Sequence, residues 1–564
     1  MLLLESLGLT VPATETPLLS GINLWLPTSH FAAIVGPSGC GKSTLLKVIA
    51  GILPHNSGTI RWRGRELNEH DLSPGELGYV PQFTCSQPQL TVEENIYYTA
   101  RLRRSCSPAE IQSVVERVQE QTGLSELRDR RASVLSGGQL RRLGLAMELT
   151  TNPSLLLADE VTSGLDPKSE EEITALLAHL ALEQSRLVIL VTHSLRFLNQ
   201  YDSITVLSHG RLAYSAHPGE LVSYFNVSSP EDIYPRLMEK RSSDWAEEWT
   251  SSLAKSAFHN SASTEDPTDE ILSNAEREAS IPGFWSHTWT WFLRRLKLFS
   301  RDRTQVFLQL TLLLIFPFVV SLFAYQGLPP VRNMTMSLDT DVVQQLRDTL
   351  AFTVQSSRIG TLVSGLTIFQ VILLALMGSN NSAREVISQR VILEKEKLAG
   401  LRPGAVLAAI TAFLSLLVIL QSAWMTLFVR VVCQFPGDLF GQFLPFALLT
   451  AAMTSLCLAI SSWSSSSEQA SLGSLYLVGF QLPLSGVLLA LPNFLGWLIR
   501  PFISSYWTWS GYLQTLKSTR FYDLVQAITE TPIASTQTAV WVLSLHLALG
   551  LFLSYLGIRR SYWQ

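Results

Sequence analysis

Cysteine is scarce in this 564-residue chain, and Cys40, Cys85, Cys106, Cys433 and Cys457 show neither pairing nor metal-ligand spacing, which argues against a disulfide framework. The sequence also lacks a basic stripe interleaved with aromatics, and its formal net charge is only -4, so nucleic acid is not expected as a partner. A signal-peptide layout is absent from the N-terminus. Charge itself is missing where it matters most. Six apolar runs, 305–325, 359–378, 405–428, 443–462, 470–490 and 537–557, contain no Asp, Glu, Lys or Arg. One such charge at a helix centre would cost about 2.5–3.5 kcal/mol. Each run, at about 20 residues, is long enough to cross a bilayer.

Before the first of these runs the composition is mixed, as in a globular domain, and its most informative stretch is Gly36-Pro37-Ser38-Gly39-Cys40-Gly41-Lys42-Ser43-Thr44. It matches G-x-x-x-x-G-K-[ST], a phosphate loop. The apolar run Phe31–Val35 reads as a buried strand before it, and Ser43–Ala50 as the start of a helix after it, which is the context the motif requires. Backbone N–H groups at that helix start would cradle phosphate oxygens. Lys42 would reach the β- and γ-phosphates and the Ser43 hydroxyl would ligate Mg²⁺.

Further elements follow in an order that resembles the nucleotide-binding domain of ABC transporters. Leu135-Ser136-Gly137-Gly138-Gln139 matches that family's signature, and Leu155–Glu160 is an apolar strand ending in two carboxylates, as in its Walker B motif. Gln82 resembles the Q-loop, Asp166 in Ser163-Gly164-Leu165-Asp166 the D-loop, and His193, after the apolar strand Leu187–Val191, the switch histidine. The resemblance implies ATP and Mg²⁺ as cofactors and an α/β P-loop NTPase fold. Asp159 would hold Mg²⁺ together with Ser43 and Gln82, and the adjacent Glu160 would act as general base on water. His193 would stabilise charge on the γ-phosphate. Ser136, Gly137, Gly138 and Gln139 open a helix whose dipole favours a phosphate, in the family that of ATP held by the opposite subunit. One family element is missing: Glu5–Ser20 offers no aromatic ring to stack on adenine, so GTP remains open as a substrate.

The expected organisation is a nucleotide-binding domain over 1–225, a connector over 226–281, an amphipathic helix over 282–304 and an all-α six-helix transmembrane domain over 305–564. The connector is rich in Ser, Glu, Asp and Ala with little periodicity. Phe284–Arg303 mixes Trp285, Trp289, Trp291, Phe292 and Phe299 with Arg294, Arg295, Lys297, Arg301 and Arg303. It reads as a helix at the cytoplasmic membrane face, or alternatively as one packing its aromatics on the nucleotide-binding domain. Six spans put both termini on one side. The basic residues before the first run, Arg384, Arg390, Lys395, Lys397 and Arg402 between the second and third, and Arg559 and Arg560 at the end agree that this side is the cytoplasm of a multi-pass protein of the cell membrane. Asn333-Met334-Thr335 is a glycosylation sequon in an external loop, for which chance is the simpler reading.

This order, nucleotide domain first, resembles the G subfamily of ABC transporters, the white-pigment and multidrug half-transporter type, and bacterial proteins of the same layout. Thr91–Ile96 resembles its TVxEN segment, Met147-Glu148-Leu149 follows the signature as in that subfamily, and Ala383–Leu401 resembles its first cytoplasmic loop. The resemblance makes that loop, with Arg384, Glu385, Glu394 and Glu396, the coupling element; a merely solvated charged loop is the alternative. External paired cysteines common in animal members are absent.

One chain supplies one nucleotide domain, so the resemblance implies a dimer, most simply of two copies, with a heterodimer as the alternative. Gln370, Gln421, Gln481 and His546 are polar groups inside apolar runs and candidate cavity contacts, or helix-to-helix hydrogen bonds. By resemblance the second and fifth spans line the pathway, which favours Phe369, Gln370, Phe480 and Gln481. The expected function is ATP-driven export of a hydrophobic or amphipathic small molecule or lipid. Export of a glycan or peptide, and a non-transporting ATPase relaying force or signal, are the other classes.

Overall fold

The computed structural model describes residues 1–10, 17–67, 72–73, 75–183, 186–253, 281–325, 327–329, 342–488 and 490–560. The sequon at Asn333 and the 254–280 part of the expected connector lie outside the described residues. Two compact units emerge, one of Met1–Thr290 with Val391–Arg402, the other of Trp291–Arg390 with Pro403–Ser561.

The first unit is built on strands β1 (Leu2–Thr10), β2 (Pro17–Leu26), β3 (His30–Val35), β4 (Ser57–Trp62), β5 (Arg65–Glu66), β6 (Leu77–Val80), β7 (Leu155–Asp159), β8 (Leu187–Val191), β9 (Ser203–Ser208) and β10 (Arg211–Ala216). An antiparallel sheet runs β2-β1-β4-β5, and a six-stranded sheet runs β10-β9-β3-β8-β7-β6. From β9 to β6 the second sheet is parallel. Its inner strands β7 and β8 are buried at every residue, which is why they read as unbroken apolar runs rather than alternating ones. Helices Lys42–Ile49, Val92–Arg103, Pro108–Gln121, Gly137–Leu149 and Pro167–Leu182 follow in chain order.

Residues 226–253, expected from composition as connector, are part of this unit. They carry helices Ile233–Leu237 and Ser242–Leu253, and Trp245 and Trp249 join the same hydrophobic core as the strands. Trp245 packs on Phe225 with ring centroids 5.1 Å apart, and Trp249 on Tyr214 at 5.0 Å. A few well-placed aromatics outweigh an otherwise polar composition here, because each buries a large apolar area.

Among the described residues of the second unit, five helices are long and apolar enough to cross a membrane. They correspond to five of the six expected runs: Arg303–Ser321, Val342–Ser382, Pro403–Cys433, Leu439–Trp463 and Thr536–Arg559. The run at 470–490 differs. It holds a 13-residue helix, Ser467–Gly479, of about 20 Å against a hydrocarbon core of about 30 Å. Pro483, which lacks the N–H a continuing helix needs, and Gly486 at φ 76° break the chain after it. Short helices Asn493–Ile499, Ser504–Gln514 and Arg520–Ile528 come next, the second nearly all buried, with the Trp509 indole donating to Ser364 Oγ at 3.1 Å.

Helices Leu439–Trp463 and Thr536–Arg559 approach closely because Gly550 faces Ser455; a Cβ there would come 2.6 Å from the Ser455 carbonyl carbon. Three amides knit three other helices. Gln421 donates to Gln309 at 2.9 Å and to Asn381 at 3.0 Å, Asn381 donates back to Gln421 at 2.8 Å, and Gln309 donates to Asn381 at 3.1 Å.

The amphipathic helix is Phe284–Arg301. Trp285 and Trp289 are exposed on it, whereas Trp291, Arg294 and Arg295 are buried. Its first turn belongs to the first unit, where buried His287 bonds the Leu102 carbonyl through Nε2 at 2.9 Å. The contact shown with the nucleotide unit is thus made by His287.

Candidate active site

Four segments expected in the site leave the carboxyl ends of neighbouring parallel strands. β3 leads into the phosphate loop, β8 into His193, β7 into Asp159 and Glu160, and β6 into Gln82. Strands about 4.8 Å apart therefore line these side chains along one edge of the sheet, where open α/β folds bind ligands.

In the phosphate loop, Gly36, Gly39 and Gly41 have φ of 152°, 78° and 101°. At Gly36 the requirement is also steric, since a Cβ would crowd the Cys40 sulfur at 2.7 Å. The Lys42 ammonium donates to the Gly36 and Pro37 carbonyls, each at 3.0 Å, arching over the loop. Burial lowers its pKa, against the pull of Glu160 and Asp159. The Ser43 hydroxyl donates to Asp159 at 2.7 Å. A hydroxyl beside a carboxylate at a phosphate loop is a hard-oxygen donor pair, and it fits Mg²⁺. Burial raises the Asp159 pKa, partly offset by the Ser43 bond, and Glu160 raises it further.

Both oxygens of Glu160 are engaged. Gln82 donates to one at 2.9 Å, and His193 Nε2 lies 2.7 Å from the other. The backbone of Glu160 sits at φ 49°, a left-handed conformation unusual for a glutamate, held by its N–H to the Val191 carbonyl at 2.9 Å. Sequence gives no sign of that strain.

Ser136, Gly137, Gly138 and Gln139 open the Gly137–Leu149 helix. Ser136 accepts from the Gln139 N–H at 3.3 Å and Gln139 reaches back to the Ser136 N–H at 3.1 Å, a capping box. Asp166 caps Pro167–Leu182 through the Ser169 N–H at 3.1 Å. Among the described residues no hydrogen bond joins either motif to the chain's own phosphate loop.

Three residues in the neighbourhood were not anticipated. The Tyr234 hydroxyl donates to the His193 carbonyl at 2.8 Å, from a helix that composition had assigned to the connector. Arg141 donates to the Gln82 carbonyl. The third is Lys395 in the helix Arg390–Leu398, whose segment from Val391 belongs to the first unit. Its ammonium lies 2.6 Å from Glu148, which Arg103 also holds at 2.8 and 3.1 Å. Burial opposes the Glu148 charge, but Arg103 and Lys395 prevail and bring its pKa to about 2. The opposite charges in Met147-Glu148-Leu149 and Glu394-Lys395-Glu396 were the available signal.

The residues expected to couple behave differently from Lys395. Glu394 pairs with Lys397 at 2.7 Å. Within the second unit, Glu385 takes a bidentate contact from Arg295, including Nη2 to Oε2 at 2.6 Å, and Arg384 donates to Ser471 at 2.6 Å. Of the pathway candidates, Gln370 is buried and bonds the Leu366 carbonyl at 3.3 Å, and buried Gln481 accepts from the Ser505 N–H at 3.0 Å. His546 likewise bonds Ser504 at 2.8 Å and the Pro501 carbonyl at 2.8 Å. Gln481 and His546, like Gln421, fit the helix-to-helix alternative, whereas the Gln370 bond stays within its own helix. Phe369 is half-buried and Phe480 is exposed.

Comparison with known proteins agrees with this geometry. The ABC transporter family profile matches residues 19–163, and the ABC-2 type transporter profile matches 286–515. An ABC transporter ATP-binding/permease protein of Mycobacterium tuberculosis is 29% identical over 498 residues, 85% of this chain and 54% of that protein. The chain is also similar, over a shorter length, to a sulfate/thiosulfate import ATP-binding protein of Mycobacterium bovis, 36% identical over 217 residues, 38% of this chain and 58% of that protein. It is also similar to a maltose/maltodextrin import ATP-binding protein of Yersinia pestis, 37% identical over 204 residues, 36% of this chain and 55% of that protein. The chain spans little more than half the length of these relatives. With its phosphate loop, its signature and its apolar helices in this order, the chain belongs to the ABC transporters, an ATP-binding domain followed by an ABC-2 type membrane domain.

Proposed function

We propose that this protein is an ATP-driven exporter of a hydrophobic or amphipathic molecule, working as a dimer of identical chains in the cell membrane with its nucleotide domain in the cytoplasm. The observation that carries the reading is the contact of Glu160 with both Gln82 and His193 at the edge of the sheet, 2.9 and 2.7 Å away. A carboxylate held this way is oriented to take a proton from water, with His193 beside it as a donor to developing negative charge. Lys42 and the loop N–H groups would hold the β- and γ-phosphates of ATP, and Ser43, Asp159 and Gln82 would hold Mg²⁺. When bound, the metal supplies charge neutralisation on the phosphate oxygens. Ser136–Gln139 and Asp166, which make no bond to their own phosphate loop among the described residues, would serve the ATP of the second copy.

Lys395 supports the coupling part of the reading. It sits between the second and third apolar helices in sequence yet pairs with Glu148, at the far end of the helix that the signature opens. A shift at Ser136 would thus be felt at Lys395 through one rigid helix. Phe369 and Phe480 remain the pathway candidates best suited to an apolar substrate.

The test is ATPase activity of the purified chain in lipid nanodiscs across a panel of lipids, amphipathic drugs, glycans and peptides. Stimulation by the lipid or drug class supports the proposal. Stimulation by a glycan or peptide alone, or a rate indifferent to the whole panel, would replace it with one of the other two functions.

A further inference from the structure

The helix Val342–Ser382 is 41 residues long, about 62 Å, roughly twice what the hydrocarbon core needs. Its uncharged apolar part is 359–378, and Arg347, Asp348 and Arg358 all precede that part. The 342–358 stretch therefore adds about 25 Å of helix beyond the membrane. Its other end leads, after Ser382, into the 383–402 segment that the proposed orientation puts in the cytoplasm, so on that reading the extension lies on the external side.

A helix in water is expected to be polar all round unless something covers it. This one is not. Val343, Leu346, Leu350 and Val354 are 56%, 63%, 58% and 63% exposed. At 100° per residue they fall within about 80° of one another, a single stripe. Gln344, Arg347 and Asp348 are exposed around it.

We propose that this stripe is a self-docking surface, pairing in parallel with the same four residues of a second copy outside the membrane. The inference rests on the dimer reading above and extends it to a contact that reading does not require. Three observations favour a second copy as the occupant. The face continues past Arg358 into the span: Ser357 and Thr361 are exposed on it, and a Cβ at Gly365 would meet nothing within 4 Å. The extension stripe is thus continuous with an open small-residue face of the second span, which the resemblance makes part of the pathway. The spacing also suits pairing, with Val343 and Leu350 seven residues apart and Leu346 between them, as at successive a and d positions of a coiled coil. Arg347 borders the stripe about 60° from its centre, so its two copies fall on opposite sides of the seam, and Asp348 points away, about 160° from that centre. So short a coil would be marginal alone, but tethering by the rest of the dimer raises its effective concentration.

The test uses the full-length chain in membranes, with Cys106, the exposed native cysteine among the described residues, replaced by serine. Leu346→Cys, Leu350→Cys and, as a control on the opposite side of the helix, Asp348→Cys are treated with a short membrane-impermeant bis(methanethiosulfonate), which forms one disulfide to each cysteine with loss of methanesulfinate. The mass of each detergent-solubilised protein is read by light scattering. A covalent product of twice the chain mass on a denaturing gel, formed at least tenfold faster by the two stripe cysteines than by the control, is the expected result. Equal, slow cross-linking in a protein that is dimeric by mass would overturn the self-docking surface and leave the dimer standing. A monomeric mass would remove both. Stripe cysteines shielded from an impermeant maleimide without cross-linking would show that the chain's own loop covers the stripe, which also overturns it.

Discussion

The Lys395 ammonium lies 2.6 Å from the Glu148 carboxylate, and both side chains are almost completely buried. Because Arg103 holds the same carboxylate, the two partners are not equivalent. Glu148→Gln would strand two buried cations and should cost about 3–5 kcal/mol. Lys395→Met leaves Glu148 paired with Arg103 and should cost about 1–3 kcal/mol. Thermal unfolding of the two variants tests this order. Exchanging the two charges should not restore stability, since Arg103 would then face a lysine.

Acid should act through the same carboxylate. Its folded pKa of about 2 lies below the ordinary glutamate value of about 4.3, so its stabilisation is complete above that value. It is lost as pH falls from about 4.3 toward about 2. Subtracting the Glu148→Gln stability profile from that of the wild type should isolate this loss; a flat difference across that range would contradict it.

The bond from Ser43 to Asp159 predicts a metal phenotype. Ser43→Ala should raise the Mg²⁺ concentration needed for half-maximal ATPase by about tenfold, the effect of one charge-assisted hydrogen bond. A Mg²⁺ titration at saturating ATP reads it directly.

Trp245→Ala should destabilise the nucleotide unit by about 3–5 kcal/mol, the usual cost of deleting a buried aromatic. Tyr234→Phe, which removes only the hydroxyl on the His193 carbonyl, should lower kcat a few-fold with stability nearly unchanged. If residues 226–253 were mere connector, neither substitution would matter, and chemical denaturation with steady-state kinetics separates the cases.

How far the sequence could be read differs between the two halves. Lys42, Ser43, Gln82, Asp159, Glu160 and His193 were legible because phosphate chemistry restricts residue type and spacing, and each follows an apolar strand. The left-handed backbone of Glu160 and the Tyr234 contact were not, since both depend on what tertiary packing brings together. Trp245 and Trp249 were hidden by the polar residues around them. In the membrane half, hydropathy located five long helices, but counting apolar residues overlooked Pro483, and the fifth run became a short helix and a turn. Hydropathy is likewise silent on partners: Gln421 looks the same in a cavity as in its ring with Gln309 and Asn381.

Glu160 is where the account is most exposed to test. ATP binding and ATP hydrolysis should be measured side by side on the purified wild type and Glu160→Gln. The predicted result is hydrolysis slowed by about 10²- to 10⁴-fold with ATP affinity largely retained. Equal hydrolysis rates in the two proteins would contradict the assignment of Glu160 as the base, and with it the mechanism built on its contacts to Gln82 and His193.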